Sequence, residues 1–216
     1  MLQTIVSWTI REATGADSEA AAAVVRAVYE EYGFTWEEGG YHADLHDLQA
    51  HYLDCGDRFW VAEFAPTGQL TDISGAASQP PSPQPPPPPG TNILQGEGGI
   101  VATCGLELFP LIPGSIGEVV THEGKLRAGG SDCSLERLYV HPLARKQGIG
   151  AALFEKTLTE ARALGRRAME IWSDKEFGDA HRLYERYGAR VIGERICDDP
   201  DEAEEWGLVL DLGAEA

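Results

Sequence analysis

No stretch of this chain approaches the roughly 18 consecutive apolar residues that a membrane-spanning helix needs, so no membrane association is expected. Positive charge is scarce: 17 Lys and Arg stand against 35 Asp and Glu, a formal net charge of -18. Such a field repels a phosphate backbone, which argues against nucleic acid as a partner. It attracts cations, so it either favours an amine ligand or simply serves solubility. Cysteine is sparse and unpatterned. Cys55, Cys104, Cys133 and Cys197 form no CxxC pair and no zinc-like spacing, and a chain of this length needs no disulfide staple. The first residues, Met1 to Trp8, lack the basic and apolar regions of a secretory signal, and the expected location is the cytoplasm. His42 and His46 are spaced i, i+4, but no third metal ligand lies near them in sequence, and no metal is expected.

What is present reads as an ordinary globular chain of 216 residues, 43% hydrophobic and 24% charged. One domain over 1–216 is expected, with a core large enough to stand alone. Short strands are expected at Thr9–Ala13, Phe59–Phe64 and Gly99–Leu106, with a helix between the first two. That helix carries Ala21, Val24, Val25 and Val28 on one face, begins at an N-cap of Asp17 or Ser18, and ends at Gly33. The piece at about 66–97 is rich in Pro, Ser, Gln and Gly. Proline has no N–H for a ladder, so this piece reads as an insertion in a hairpin loop, polyproline II or disordered. Residues 109–130 read as irregular. After them the order is strand Leu135–Val140, helix Gly148–Leu164, strand Ala168–Trp172, helix Asp179–Tyr187, and strands at 190–193 and 206–210. Alternation of this kind indicates a mixed α/β architecture. The acidic run from Asp198 to Glu205 reads as a solvated loop or as an attractor of a cationic amine.

The chemistry concentrates at Arg145-Lys146-Gln147-Gly148-Ile149-Gly150. Glycines at a helix start let a backbone approach a ligand, and the free N–H groups with the helix dipole make an anion site suited to a diphosphate. Arg145 and Lys146 add positive charge in an otherwise acidic chain. A plain glycine-rich turn fits the glycines equally well. A phosphate-binding loop of the G-x-x-x-x-G-K-[ST] kind lacks its Lys-Ser/Thr pair here. A dinucleotide fingerprint lacks its third glycine, where Leu153 stands, although Glu170 lies at a suitable distance downstream. A nucleotide-binding protein is therefore the weaker reading of the same glycines.

Leu135-Glu136-Arg137-Leu138-Tyr139-Val140-His141-Pro142 followed by Arg145 to Gly150 resembles the acetyl-CoA-binding motif of the GNAT superfamily of N-acetyltransferases. Ala180-His181-Arg182-Leu183-Tyr184 through Gly188-Ala189 is similar to that family's second conserved helix. Phe177 stands where the family often has asparagine, and Ala189 where it has phenylalanine. The resemblance covers about residues 98–212. It implies a GNAT-type fold: a central twisted mixed sheet of six to seven strands with helices on both faces.

It further implies transfer of an acetyl group from acetyl-CoA directly to a primary amine of a small-molecule or peptide acceptor, without a metal. The backbone of Leu138, Tyr139 and Val140 would pair with the pantetheine arm, and Arg145, Lys146, Gln147, Gly148, Ile149 and Gly150 would hold the diphosphate. Tyr184 would give a proton to the leaving thiolate, and Glu136 would take one from the amine, with Glu170 and Asp174 as substitutes. A homodimer is compatible with the resemblance. A non-catalytic acyl-CoA-binding module of the same fold is the alternative, and it would need neither Tyr184 nor Glu136.

Overall fold

The computed structural model describes residues 7–64 and 99–213; the proline-rich piece expected at about 66–97 lies outside them. Among the described residues nine strands and four α-helices are ordered β1 (Trp8–Glu12), α1 (Ser18–Tyr32), α2 (Ala43–His46), β2 (Arg58–Phe64), β3 (Ile100–Leu108), β4 (Val119–His122), β5 (Lys125–Ala128), β6 (Cys133–Val140), α3 (Ile149–Ala163), β7 (Ala168–Asp174), α4 (Gly178–Arg186), β8 (Arg190–Ile196) and β9 (Glu204–Asp211). Seven strands form one sheet in the order β1-β2-β3-β6-β7-β9-β8. All neighbours are antiparallel except β6 and β7. β2 and β3 pair directly, and the Phe64 N–H donates to Gly99 O at 3.2 Å, so the chain on either side of the proline-rich piece is hydrogen-bonded together.

Period-two alternation divides the core between the two sheet faces. On β2, Trp60, Ala62 and Phe64 face one cluster, which also holds Leu153, Phe154 and Leu158 of α3. Phe59 and Val61 face the other, with Ala21, Val24, Val25 and Tyr29 of α1. Each large side chain fully buried in this way contributes about 1.5–3 kcal/mol. Helices therefore cover both faces, as expected. The start of α1 differs in detail: Asp17 occupies the N-cap position without capping the helix, and its carboxylate instead binds the Thr14 N–H and the Arg11 guanidinium, each at 2.8 Å.

Residues 109–130, expected to be irregular, contain the β4–β5 hairpin. Its two-residue turn, Glu123-Gly124, has φ of +50° and +82°. Positive φ at both central residues matches the right-handed twist of a hairpin. The hairpin is a separate two-stranded sheet. Its Ala128 packs with Ala168 and Val209 on the face of the main sheet opposite α3.

The strand that places the site is β6. Gly105 opposes Glu136 and Thr103 opposes Tyr139, so one residue of β3 faces two of β6: a bulge, with Arg137 at φ +49°. The bulge reverses the alternation. Leu135 lies on the α3 side before it, and Leu138 and Val140 lie on that side after it, while Tyr139 turns to the α1 side. A non-glycine residue at positive φ costs on the order of 1–3 kcal/mol and persists where its surroundings fix it. The Thr103 hydroxyl donates to Arg137 O at 2.8 Å, and Asp44 holds the side chain.

Candidate active site

β6 and β7 pair only at Cys133↔Met169 and Ser134↔Glu170. Beyond those residues the parallel strands part, leaving backbone groups of β6 without a neighbour on that side. Unpaired strand N–H and C=O groups can accept an extended ligand as an added strand. Two open grooves and a small cavity lie around this gap.

The first groove, of about 710 Å³, lies on the α3 and α4 side. Leu138, Val140, Arg145, Lys146, Gly148, Ile149 and Gly150, seven of the residues expected to hold the cofactor, line it together. Gln147 is exposed and does not. The Tyr139 side chain points to the other face, against Tyr29 and Phe177 at ring distances of 6.1 and 5.9 Å, and does not line this groove. His141 ends the strand: its Nδ1 accepts from the Leu143 N–H, and Pro142 opens a short 3-10 turn. Gly148 then stands at φ +81° as N-cap of α3, a conformation that glycine adopts without steric cost. The first bond into the helix runs from Ala152 N–H to Gly148 O at 3.0 Å. The N–H groups ahead of it face the groove, at the positive end of a 15-residue helix.

Basic side chains ring this end. Arg145 bonds Val140 O at 3.3 Å and Glu31 at 2.6 Å. Lys146 reaches Asp179 of α4 at 2.8 Å, and Asp179 also binds Arg182. Arg182 and Arg186 complete the wall. Residues 182 and 186 sit one helical turn apart on the exposed side of α4, a spacing visible in the sequence beside the Leu183-Tyr184 motif. An extended, multiply anionic ligand fits this groove: free N–H groups and cations at one end, Leu138 and Val140 along its length.

The second groove, of about 690 Å³, opens on the opposite side between the β4–β5 hairpin, β6, β7 and β8. A cavity of about 90 Å³ lies between the two. It shares Leu138 with the first groove and Glu136, Arg137 and Trp172 with the second. Glu136 thus stands at the junction. Its carboxylate accepts from the Ser134 hydroxyl at 2.6 Å. Burial pushes its pKa up to about 7; the Ser134 bond opposes that shift and the nearby Glu107 adds to it. Asp174, at the end of β7, lines the same cavity and is also pushed up to about 7, by burial first and then by Glu205 and Asp199.

Glu170 is committed elsewhere: it binds Arg127 at 2.5 Å and the Ala128 N–H at 2.7 Å, holding the hairpin on the sheet. His181 bonds Ser173 at 3.2 Å. His42 is buried, stacked on Trp36 at 4.0 Å. Tyr184 is 4% exposed and packs on Phe154 at 5.1 Å, behind the wall of the first groove. Burial raises its pKa, and Cys104 and Glu136 add to the effect.

The acidic run near the C-terminus is not a uniform solvated loop. Asp201 accepts from the Thr35 N–H and hydroxyl, each at 2.7 Å, and Glu205 is buried and paired with Arg195 at 2.6 Å. Arg127 and Arg195, which line the second groove, carry no motif. Their pairing with Glu170 and Glu205 depends on contacts between distant strands.

The acetyltransferase (GNAT) family model matches residues 22–189, about three quarters of the chain. The chain belongs to this family. The same fold occurs in a GNAT acetyltransferase from Staphylococcus aureus Mu50, at TM-score 0.61 and 16% identity, covering 96% of this chain and 100% of the other. It occurs also in yncA of Salmonella typhimurium, a putative acetyltransferase solved with its cofactor acetyl-CoA, at TM-score 0.55 and 15% identity over 97% and 96% of the two chains. The ribosomal-protein-S18-alanine N-acetyltransferase of Escherichia coli matches at TM-score 0.55 and 15% identity, over 97% of each chain. No curated protein sequence matches significantly. Among the described residues, no helix is long and apolar enough to cross a membrane.

Proposed function

We propose that this protein transfers an acetyl group from acetyl-CoA to a primary amine. The observation that carries this reading is the meeting of two grooves at the gap between β6 and β7, with Glu136 on the far side of it. Coenzyme A fits the first groove by chemistry. Its diphosphate matches the α3 N-terminus with Arg145 and Lys146, and its pantetheine amides match the unpaired edge of β6 from Leu138 to Val140. Bound there, it supplies an activated thioester directed at the junction.

The amine enters from the second groove. Glu136, with a pKa near 7, takes a proton from the ammonium, and the freed lone pair attacks the thioester carbonyl. A C–N bond forms; as the tetrahedral intermediate collapses the C–S bond breaks, the nitrogen loses its second proton to water, and the thiolate takes a proton from the Tyr184 hydroxyl, which solvent then reprotonates. The shared fold of the ribosomal-protein-S18-alanine N-acetyltransferase adds a protein amine to the candidate acceptors.

One observation favours a second reading. Tyr184 lies behind the groove wall, which suits a non-catalytic acyl-CoA-binding module that has no need of a proton donor. Release of free thiol from acetyl-CoA, measured against a panel of amines, separates the two. Amine-dependent release supports transfer. Tight coenzyme A binding without release for any amine supports the module.

A further inference from the structure

The second groove has a charge pattern of its own. Arg127 is fixed through its Nε to Glu170 at 2.5 Å and lies over the Phe109 ring at 4.3 Å. Arg195 is fixed through its Nε to Glu205 at 2.6 Å and through Nη1 to Leu126 O at 3.2 Å, over the Trp172 ring at 4.2 Å. Each guanidinium is therefore held flat by a ring and one carboxylate. Among the described residues, Nη1 of Arg127 and Nη2 of Arg195 make no hydrogen bond, and the two side chains are 19% and 23% exposed. The same groove also holds Glu107 and Glu136, and neither carboxylate has an ion-pair partner among the described residues, although Arg127 is the charge that acts most on Glu107 and Arg195 lines the junction cavity beside Glu136. The two sit diagonally on adjacent strands, since Glu107 opposes Ser134 and Glu136 opposes Gly105. Two unpaired acids and two half-used guanidiniums thus share the lining of one groove.

An amine without a negative charge would satisfy the acids and leave the guanidinium edges without partners. A planar, fixed guanidinium is suited to a carboxylate, and a site built to bond a particular group discriminates strongly against an analogue that lacks it. We propose that the acceptor is a free amino acid: a zwitterion whose ammonium lies between Glu136 and Glu107 and whose carboxylate is held by Arg127 and Arg195. This rests on the reading of the groove as an acceptor site. A peptide N-terminus would present a neutral amide where the guanidiniums offer charge-assisted bonds. At about 690 Å³ the groove has room for a side chain beyond the two charged groups.

The test compares L-amino acids with their amides, their decarboxylated amines and dipeptides, measuring thiol release from acetyl-CoA by the full chain. The expected result is a kcat/KM at least tenfold higher for the best amino acid than for its own amide. Arg195→Met should raise KM for the amino acid and bring the two values within about threefold of each other. Arg127→Met should do the same; each variant leaves a buried carboxylate without its arginine, Glu205 for Arg195→Met and Glu170 for Arg127→Met, so the wild-type comparison of amino acid with amide carries the result if either fails to fold. Amides or dipeptides used as well as amino acids would overturn the proposal and leave amine acetylation intact. Equal loss on both acceptors in Arg195→Met would also overturn it. Absence of release with every compound would sink it together with the transferase reading.

Discussion

Arg137 grips Asp44 through Nε at 2.9 Å and Nη2 at 2.8 Å, and the same Nη2 also donates to Tyr41 O at 2.7 Å. The guanidinium also lies over the Tyr41 ring at 4.7 Å. This pair ties α2 and the loop before it to the bulge that splits the central sheet. Removing one partner of a buried ion pair leaves the other charge unsatisfied. Arg137→Met should lower stability by about 3 kcal/mol, the low end for buried pairs, because Asp44 is 20% exposed. Urea unfolding measures this. A change under about 1 kcal/mol would mean that the bulge holds without the pair.

Ionisation of Glu136 should govern the pH profile. A base with a pKa near 7 makes kcat/KM rise with pH and level off above about 7. Glu136→Gln should abolish most of the rate and with it this rise. Asp174 is also pushed to about 7, so Asp174→Asn is the control and should keep the rise. Loss of the rise in the Asp174 variant alone would transfer the base role to Asp174.

The same two groups set a stability trend. Their folded pKa values lie above those of the unfolded chain, so the stability they contribute is full below about pH 4 and is lost as pH rises through 7. Asp17, held down to about 2 by Arg11, acts in the opposite sense and loses its contribution as pH falls from about 4 through 2. Burial holds His42 down to about 4, and that group adds stability as pH rises from 4 to about 6.5, so the check is a difference: unfolding midpoints across pH 4 to 8 should fall less, or rise more, for Glu136→Gln than for the wild type.

Tyr184→Phe should lower kcat by about tenfold or more, in the range of general-acid effects, with acetyl-CoA affinity unchanged. Because the hydroxyl makes no hydrogen bond among the described residues, stability should hardly move. An unaltered kcat would remove Tyr184 from the mechanism.

At Gly148, an added Cβ meets nothing within 4 Å, so Gly148→Ala tests backbone conformation alone at φ +81°. The strain should cost about 1–2 kcal/mol. Acetyl-CoA affinity should fall as the α3 N-terminus shifts, read by titration calorimetry. Full affinity would show that the left-handed turn is not needed for the diphosphate.

The parts legible in the sequence were those governed by local patterning. Alternation on β2, the apolar stripe of α1 and the Gly148 start of α3 each follow from neighbours a few residues away, as does the groove from Leu138 to Gly150. The β4–β5 hairpin was hidden because Pro110, Pro113 and Gly114 outweigh two four-residue strands, and Glu123-Gly124 is a weaker turn signal than Asn-Gly. The bulge at Arg137 leaves no mark in residue order, yet it decides which face Glu136 and Tyr139 take. Asp201 and Glu205 look alike within an acidic run; only the folded chain assigns one to Thr35 and the other to Arg195.

The hairpin's independence from the main sheet has a consequence for change over generations. It joins the sheet by apolar contact at Ala128 and by the Arg127–Glu170 pair, and it contributes to the second groove only. The first groove is built from β6, α3 and α4 and owes it nothing. Substitutions in the six strand residues other than Arg127 and Ala128, and in the two-residue turn, can therefore reshape one groove while the other is inherited intact, so ligand preference on that side is free to diverge at little risk to the fold.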